Sequence, residues 1–75
     1  MKAYVLINVR PGKSRAVVAK LRQLKGVRSA SACWGRPDVF ALIDAANDKA
    51  LAASVLDRIQ RIAGVESTDT HIVIA

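Results

Sequence analysis

The sequence predicts an α+β domain of order βαββαβ, a ferredoxin-like plait in which two helices cover one face of a four-stranded antiparallel sheet. Three observations predict it. Four runs rich in β-branched and apolar residues and two stretches of helical period follow one another in that order. The connections are short, with no linker, repeat or low-complexity segment between them. Right-handed crossovers then put both helices on the same side of the sheet. Residues 1–75 thus make one small domain.

The opening run, residues 3–9, stops at Arg10-Pro11-Gly12, a strand followed by a break. Val5, Ile7 and Val9 point one way along it and Tyr4 and Leu6 the other, so both faces want cover. From about residue 13 to residue 25 the period becomes helical, with Val17, Val18, Leu21 and Leu24 on one stripe and Arg15 and Arg22 opposite it. Ser14 is placed to cap this helix and Gly26 to close it in a left-handed conformation. Lys13 and Lys20 flank the apolar stripe, so the basic residues surround it rather than forming one separate patch.

Residues 27–34 and 39–44 read as the arms of a hairpin around Gly35-Arg36-Pro37-Asp38. Each turn residue has a reason to be there: Gly accepts positive φ, Pro fixes φ, and Asp accepts hydrogen bonds from nearby amides. The first arm is built of small residues, Ser29-Ala30-Ser31-Ala32; the second, 39–43, is apolar throughout. A second helix starts at Asn47 or Asp48, buries Leu51, Val55, Ile59 and Ile62 with Leu56 beside them, and ends at Gly64. The last strand, residues 65–74, is polar in its first half and apolar in its second.

Composition says what this frame needs. The 75 residues are 52% hydrophobic and the mean hydropathy is +0.22, more apolar material than so small a monomer hides. Two helices cover one side of the sheet, so the apolar residues of the other side call for a second subunit, two sheets packed face to face in a dimeric α/β barrel. The one cysteine, Cys33, excludes an intrachain disulfide and any paired-cysteine metal site, and points to a reducing compartment. No run reaches the ~18 apolar residues of a membrane span, and the first is too short for a signal-peptide core, so the expectation is a cytoplasmic protein with no membrane partner. The net charge of +6 invites a nucleic-acid reading. Basic residues along one helix are also the ordinary make-up of a solvated face.

The residues also carry a resemblance. Ile59-Gln60-Arg61-Ile62-Ala63-Gly64-Val65, followed by Thr68-Asp69-Thr70 and Ile72-Val73, resembles the closing pattern of the effector-binding (RAM) domain of the Lrp/AsnC transcription regulators. Pro11-Gly12 after the first strand, and Gly35 with Asp38 in the central turn, fit the same domain, so the match spans nearly the whole chain. The family's full-length regulators carry a helix-turn-helix domain ahead of this one; the chain resembles stand-alone members that lack it. The resemblance implies a non-catalytic module that dimerises through its sheets and gathers into larger oligomers. It further implies a small effector, typically an amino acid, held between dimers, and co-assembly with full-length regulators, with no direct specific DNA binding and no cofactor or metal.

Carried over by position, the implied effector site comprises Gly35, Asp38, Thr68 and Thr70, with Arg36 at the turn tip placed to attract an acidic side chain. The chemistry suits an amino acid. Its ammonium wants a carboxylate such as Asp38, and its carboxylate wants hydroxyl and amide donors such as Thr68, Thr70 and the backbone near Gly35. Two residues apart, the threonines share a strand face, although threonine also simply favours strands. Pro37 stands where the family commonly has an aromatic ring, and Trp34 where a smaller residue is usual; Trp34 is placed either to take up that ring's space or to close the pocket.

Other classes stay open at this point. A βαββαβ nucleic-acid module would stack bases on sheet aromatics, and the third strand offers Phe40 alone. A small dimeric α/β-barrel enzyme would need a nucleophile with its base, a close carboxylate pair or a metal cluster; Asp38 and His71 are candidates only if the fold brings them together. The ACT domain shares the fold and the Pro-Gly break but not the Thr-x-Thr strand.

Overall fold

The computed structural model describes residues 1–75, the side chain of Ser54 excepted. Its elements are β1 (Lys2–Val9), α1 (Ser14–Gln23), β2 (Val27–Ala32) and β3 (Val39–Asp44). A second helical segment follows, made of α2 (Asp48–Ala50), a π-helical stretch (Leu51–Leu56) and α3 (Asp57–Gln60), and the chain closes with β4 (Val65–Ile72). The strands form one sheet in the order β2-β3-β1-β4, antiparallel at every pairing. This is the α+β plait that the element order predicts.

The two-residue period of the central strands sorts their side chains between two environments. Ala3, Val5, Ile7 and Val9 of β1 and Val39, Ala41 and Ile43 of β3 face the helices and are almost fully buried. Against them pack Val17, Val18 and Leu21 of α1, and Leu51, Val55 and Ile59 of the second helical segment. The intervening residues, Tyr4, Leu6, Phe40 and Leu42, meet across the β1–β3 ladder on the open face, Tyr4 opposite Leu42 and Leu6 opposite Phe40. Tyr4 keeps 50% of its surface exposed and Phe40 39%. The edge strands frame this apolar centre with polar side chains: Ser29 and Ser31 from β2, and Ser67, Asp69 and His71 from β4.

The helix ends differ from the sequence expectation. α1 begins at Ser14 itself, with Lys13 in the capping position and no side-chain cap, and it ends at Gln23 with Leu24 extended. Gly26 therefore serves close approach rather than helix closure. At φ +95, a Cβ there would lie 3.2 Å from Val55 Cγ2 and 3.3 Å from the Asp44 carbonyl oxygen. The second helix does start at an Asn47 cap, whose Oδ1 accepts from the Ala50 amide at 2.8 Å. It then widens over Leu51–Leu56, with the Asp57 amide donating to the Ala52 carbonyl, five residues back. Leu51, Val55 and Ile59, four apart along this segment, all reach the core. No helix among the described residues is long and apolar enough to cross a membrane.

Candidate functional site

The hairpin turn is fastened to the end of β1 chiefly through one residue. Asp38 donates its amide to the Ile7 carbonyl at 3.1 Å and accepts from the Cys33 amide at 2.6 Å through its own carbonyl. Its carboxylate Oδ2 accepts from the Val9 amide at 2.9 Å and from Arg36 Nη1 at 3.3 Å. Gly35, at φ +115, makes the reversal that lets Arg36 fold back over Asp38, a conformation an L side chain resists. Asp38 is thus as much a structural clasp as a ligand candidate, accepting from a backbone amide as its turn chemistry predicts, here from Val9 across the β1–β3 ladder.

Arg36 continues across the sheet. Its Nη2 lies 3.4 Å from Glu66 Oε1, and its Nη1 lies 3.4 Å from the Val9 carbonyl. Glu66 reaches it because β4 carries an extra residue at this point: Asn8 pairs with Ser67 and Val9 with Val65, leaving Glu66 in a bulge. Bulges re-aim side chains. No sequence pattern marks this one, so Glu66 is a member of the cluster that the sequence did not reveal.

Around the clasp lies a cavity of about 340 Å³ lined by Arg10, Pro11 and Gly12 after β1 and by Cys33, Trp34, Gly35, Arg36 and Asp38 of the hairpin. Arg10 is the second residue missed by sequence reading, brought in because the Pro11-Gly12 break folds against the turn. Residues of opposite charge therefore line one concavity: Arg10 and Arg36, and Asp38, whose side chain is 17% exposed. Trp34 stands wholly exposed at the rim and fills no space within the protomer.

Thr68 and Thr70 lie elsewhere. They pair with Ile7 and Val5 on β4 and so share the helix-facing side of the sheet, half-buried at its edge. The Thr68 hydroxyl accepts from Gln60 Nε2 at 3.3 Å. β1 separates them from the hairpin, two strand spacings or about 10 Å away, so one protomer does not join the two halves of the expected site. His71 pairs with Tyr4 near the far end of β1 and bonds Asp69 at 3.1 Å. Three residues of strand, about 10 Å, separate Tyr4 from Ile7 beside Asp38, so Asp38 and His71 form no couple. Among the described residues no three His, Cys, Asp or Glu side chains gather as metal ligands.

Comparison with known proteins agrees with this architecture. The family model of the Lrp/AsnC ligand-binding domain matches residues 2–75. An uncharacterised HTH-type transcriptional regulator of Pyrococcus furiosus is 31% identical over 70 residues, 93% of this chain and 47% of that protein, so the chain spans about half its length. The solved structure of Escherichia coli AsnC superposes with a TM-score of 0.89 at 25% identity, covering 99% of this chain and 50% of that one. A transcriptional regulator of Neisseria meningitidis, solved as a complex with L-Met, shares the fold with a TM-score of 0.84 at 22% identity, covering 99% and 49% of the two chains. The chain belongs to the Lrp/AsnC family, as its ligand-binding domain, the part of these transcription regulators that carries no helix-turn-helix.

Proposed function

We propose that this chain is a cytoplasmic, non-catalytic sensing and assembly module that binds an amino acid or a related metabolite and modulates transcription regulators of the Lrp/AsnC type. The observation that carries this reading is the hairpin cavity, where Asp38, Arg36 and Arg10 line one space of about 340 Å³ and the Arg36 guanidinium lies 3.3 Å from the Asp38 carboxylate. A zwitterion needs both signs of charge within a few ångströms, and charge-assisted hydrogen bonds are the strong ones. The Neisseria regulator solved with L-Met supports the same ligand class.

The chain dimerises through the apolar centre of its open sheet face, and dimers gather into larger oligomers. Thr68 and Thr70 enter the effector site from a neighbouring subunit, whose edge strand meets the hairpin of the first. Gly35, Arg36 and Asp38 supply one half of that site and the two threonines the other. Binding then reports on assembly, and co-assembly with full-length regulators passes the signal on.

A thermal-shift screen against the twenty amino acids, run beside light scattering, tests this reading. A ligand that binds only the native assembly raises its melting temperature by mass action. The expected result is one or a few amino acids that both stabilise the protein and change the size of the assembly. No stabilisation by any of them removes the sensing role.

A further inference from the structure

The charge of this chain is divided unevenly between its two layers. The helix layer, residues 13–25 and 48–61, contains eight basic and two acidic residues and so carries the whole net charge of +6. The strands and their turns hold four of each sign. Their charges are largely paired: Arg28 with Asp44 at 3.1 Å, and Arg36 with Asp38 at 3.3 Å and Glu66 at 3.4 Å. In the helix layer, the described residues form one ion pair, Arg61 with Asp57 at 3.3 Å. No acid precedes Asp38 anywhere in the sequence.

α1 presents this charge in two rows. Arg15 and Arg22 lie toward β2, where the Arg22 guanidinium is held by the Ala30 carbonyl at 2.9 and 3.2 Å. Lys13 and Lys20 lie toward α3, Lys20 bordering a shallow groove with Arg61 and Ile62. Members of each row are seven residues apart, about 10 Å along the axis. Between the rows lie the exposed residues Ala16, Ala19 and, at the last turn, Gln23. Along the sequence Lys13 and Lys20 flank an apolar stripe and Arg15 and Arg22 stand opposite it; folded, with the stripe buried, the two pairs border an open basic face.

We infer that the outer face of α1 is a phosphate-contacting surface for duplex nucleic acid, bound without regard to base sequence. Lys and Arg contacts to phosphates supply affinity and no base readout. A single strand fits less well, because unpaired bases want aromatic platforms. Here Tyr4 and Phe40 lie on the opposite side of the sheet, and Trp34 is at the hairpin tip. The open sheet face lies on the other side of the sheet from this surface, while the hairpin cavity meets it at Ser14, the first residue of α1. The inference does not depend on the effector reading.

Fluorescence anisotropy with a labelled duplex of about 30 base pairs of arbitrary sequence tests it. With four phosphates neutralised, affinity falls by about 150-fold between ~50 and ~200 mM salt. The double variant Arg15→Glu/Lys20→Glu, checked for an unchanged thermal melt and assembly, flattens the logarithmic salt slope by about 2. The neutral pair Arg15→Gln/Lys20→Gln serves the same purpose if charge reversal disturbs the fold. No binding at the lower salt, or an unaltered slope in the variants, overturns the inference. Poly-glutamate displacing the label as well as unlabelled duplex also overturns it, and assigns the face to acidic polypeptides.

Discussion

The two faces of the sheet are made from the same strands, yet they meet different requirements. On the helix side, Val5, Ile7, Val39 and Ile43 have no measurable exposure and are closed by side chains of the same chain. On the other side, Tyr4, Leu6, Phe40 and Leu42 form an equally continuous apolar centre with nothing of this chain above it. The first face is complete in one protomer. The second is left open, and its apolar centre with the border of Ser29, Ser31, Ser67, Asp69 and His71 has the make-up expected of the dimer interface proposed above. If the proposed dimer forms through that face, alternate residues of one strand divide folding from assembly, and substitutions at neighbouring positions should separate the two.

The largest effect belongs to the closed face. Val5→Asp puts an unpaired carboxylate beside Ala41 inside the fully buried core cluster, at a cost of several kcal/mol, comparable with the whole stability of a domain this size, about 4–11 kcal/mol. Circular dichroism on heating should show no cooperative transition; a native-like melt would break the distinction between the faces. Leu42→Asp, one residue along in alternation on β3, should leave the protomer folded. It should weaken self-association by about 2 kcal/mol or more, some 30-fold in dissociation constant, read by sedimentation at several concentrations.

Asp38 sharpens the comparison at the turn, where a structural role and the proposed ligand role meet in one side chain. Asp38→Ala should lose about 1–2 kcal/mol of stability, because the Val9 amide is left without its acceptor, and should lose amino-acid binding as well. Asp38→Asn keeps an acceptor for that amide, so it should recover most of the stability and little of the affinity. Equal recovery of both would remove the carboxylate from the effector site. Asn47→Ala should cost about 1 kcal/mol through the lost cap, with assembly unchanged. The smallest effect is expected of Thr68→Val, whose hydrogen bond to Gln60 lies at the surface; a few tenths of a kcal/mol in the melt, with a clear loss of effector-linked stabilisation, would place Thr68 in the ligand site.

Element order, strand alternation and the buried stripes were legible in the sequence because each rests on local periodicity. Val5 and Ile7 sort from Tyr4 and Leu6 by position alone, and Asn47 declares its cap by residue type. What escaped depends on register and on long-range contact. Glu66 joins Arg36 only because β4 bulges opposite Val9, and no side-chain pattern in 65–72 encodes that extra residue. Arg10 reaches the hairpin cavity because two breaks far apart in sequence fold against each other. The widening of the second helix is likewise silent, since spacings of four suit an α-helix and a π-helical turn alike. Gly26 and Gly64 both read as helix stops, but at Gly26 the close passage of Val55 and Asp44 explains the glycine better. The Thr68–Thr70 pair was correctly placed on one strand face, and the distance that separates it from Asp38 became visible only with the sheet order.

Sedimentation equilibrium on the unmodified chain at micromolar concentration is the most direct measurement of whether the open face is an interface. A mass of twice 8.0 kDa, or an even multiple of it, is the predicted result. A single species of 8.0 kDa across the whole concentration range would contradict it, leaving Tyr4, Leu6, Phe40 and Leu42 as an apolar surface that water, and not a second subunit, covers.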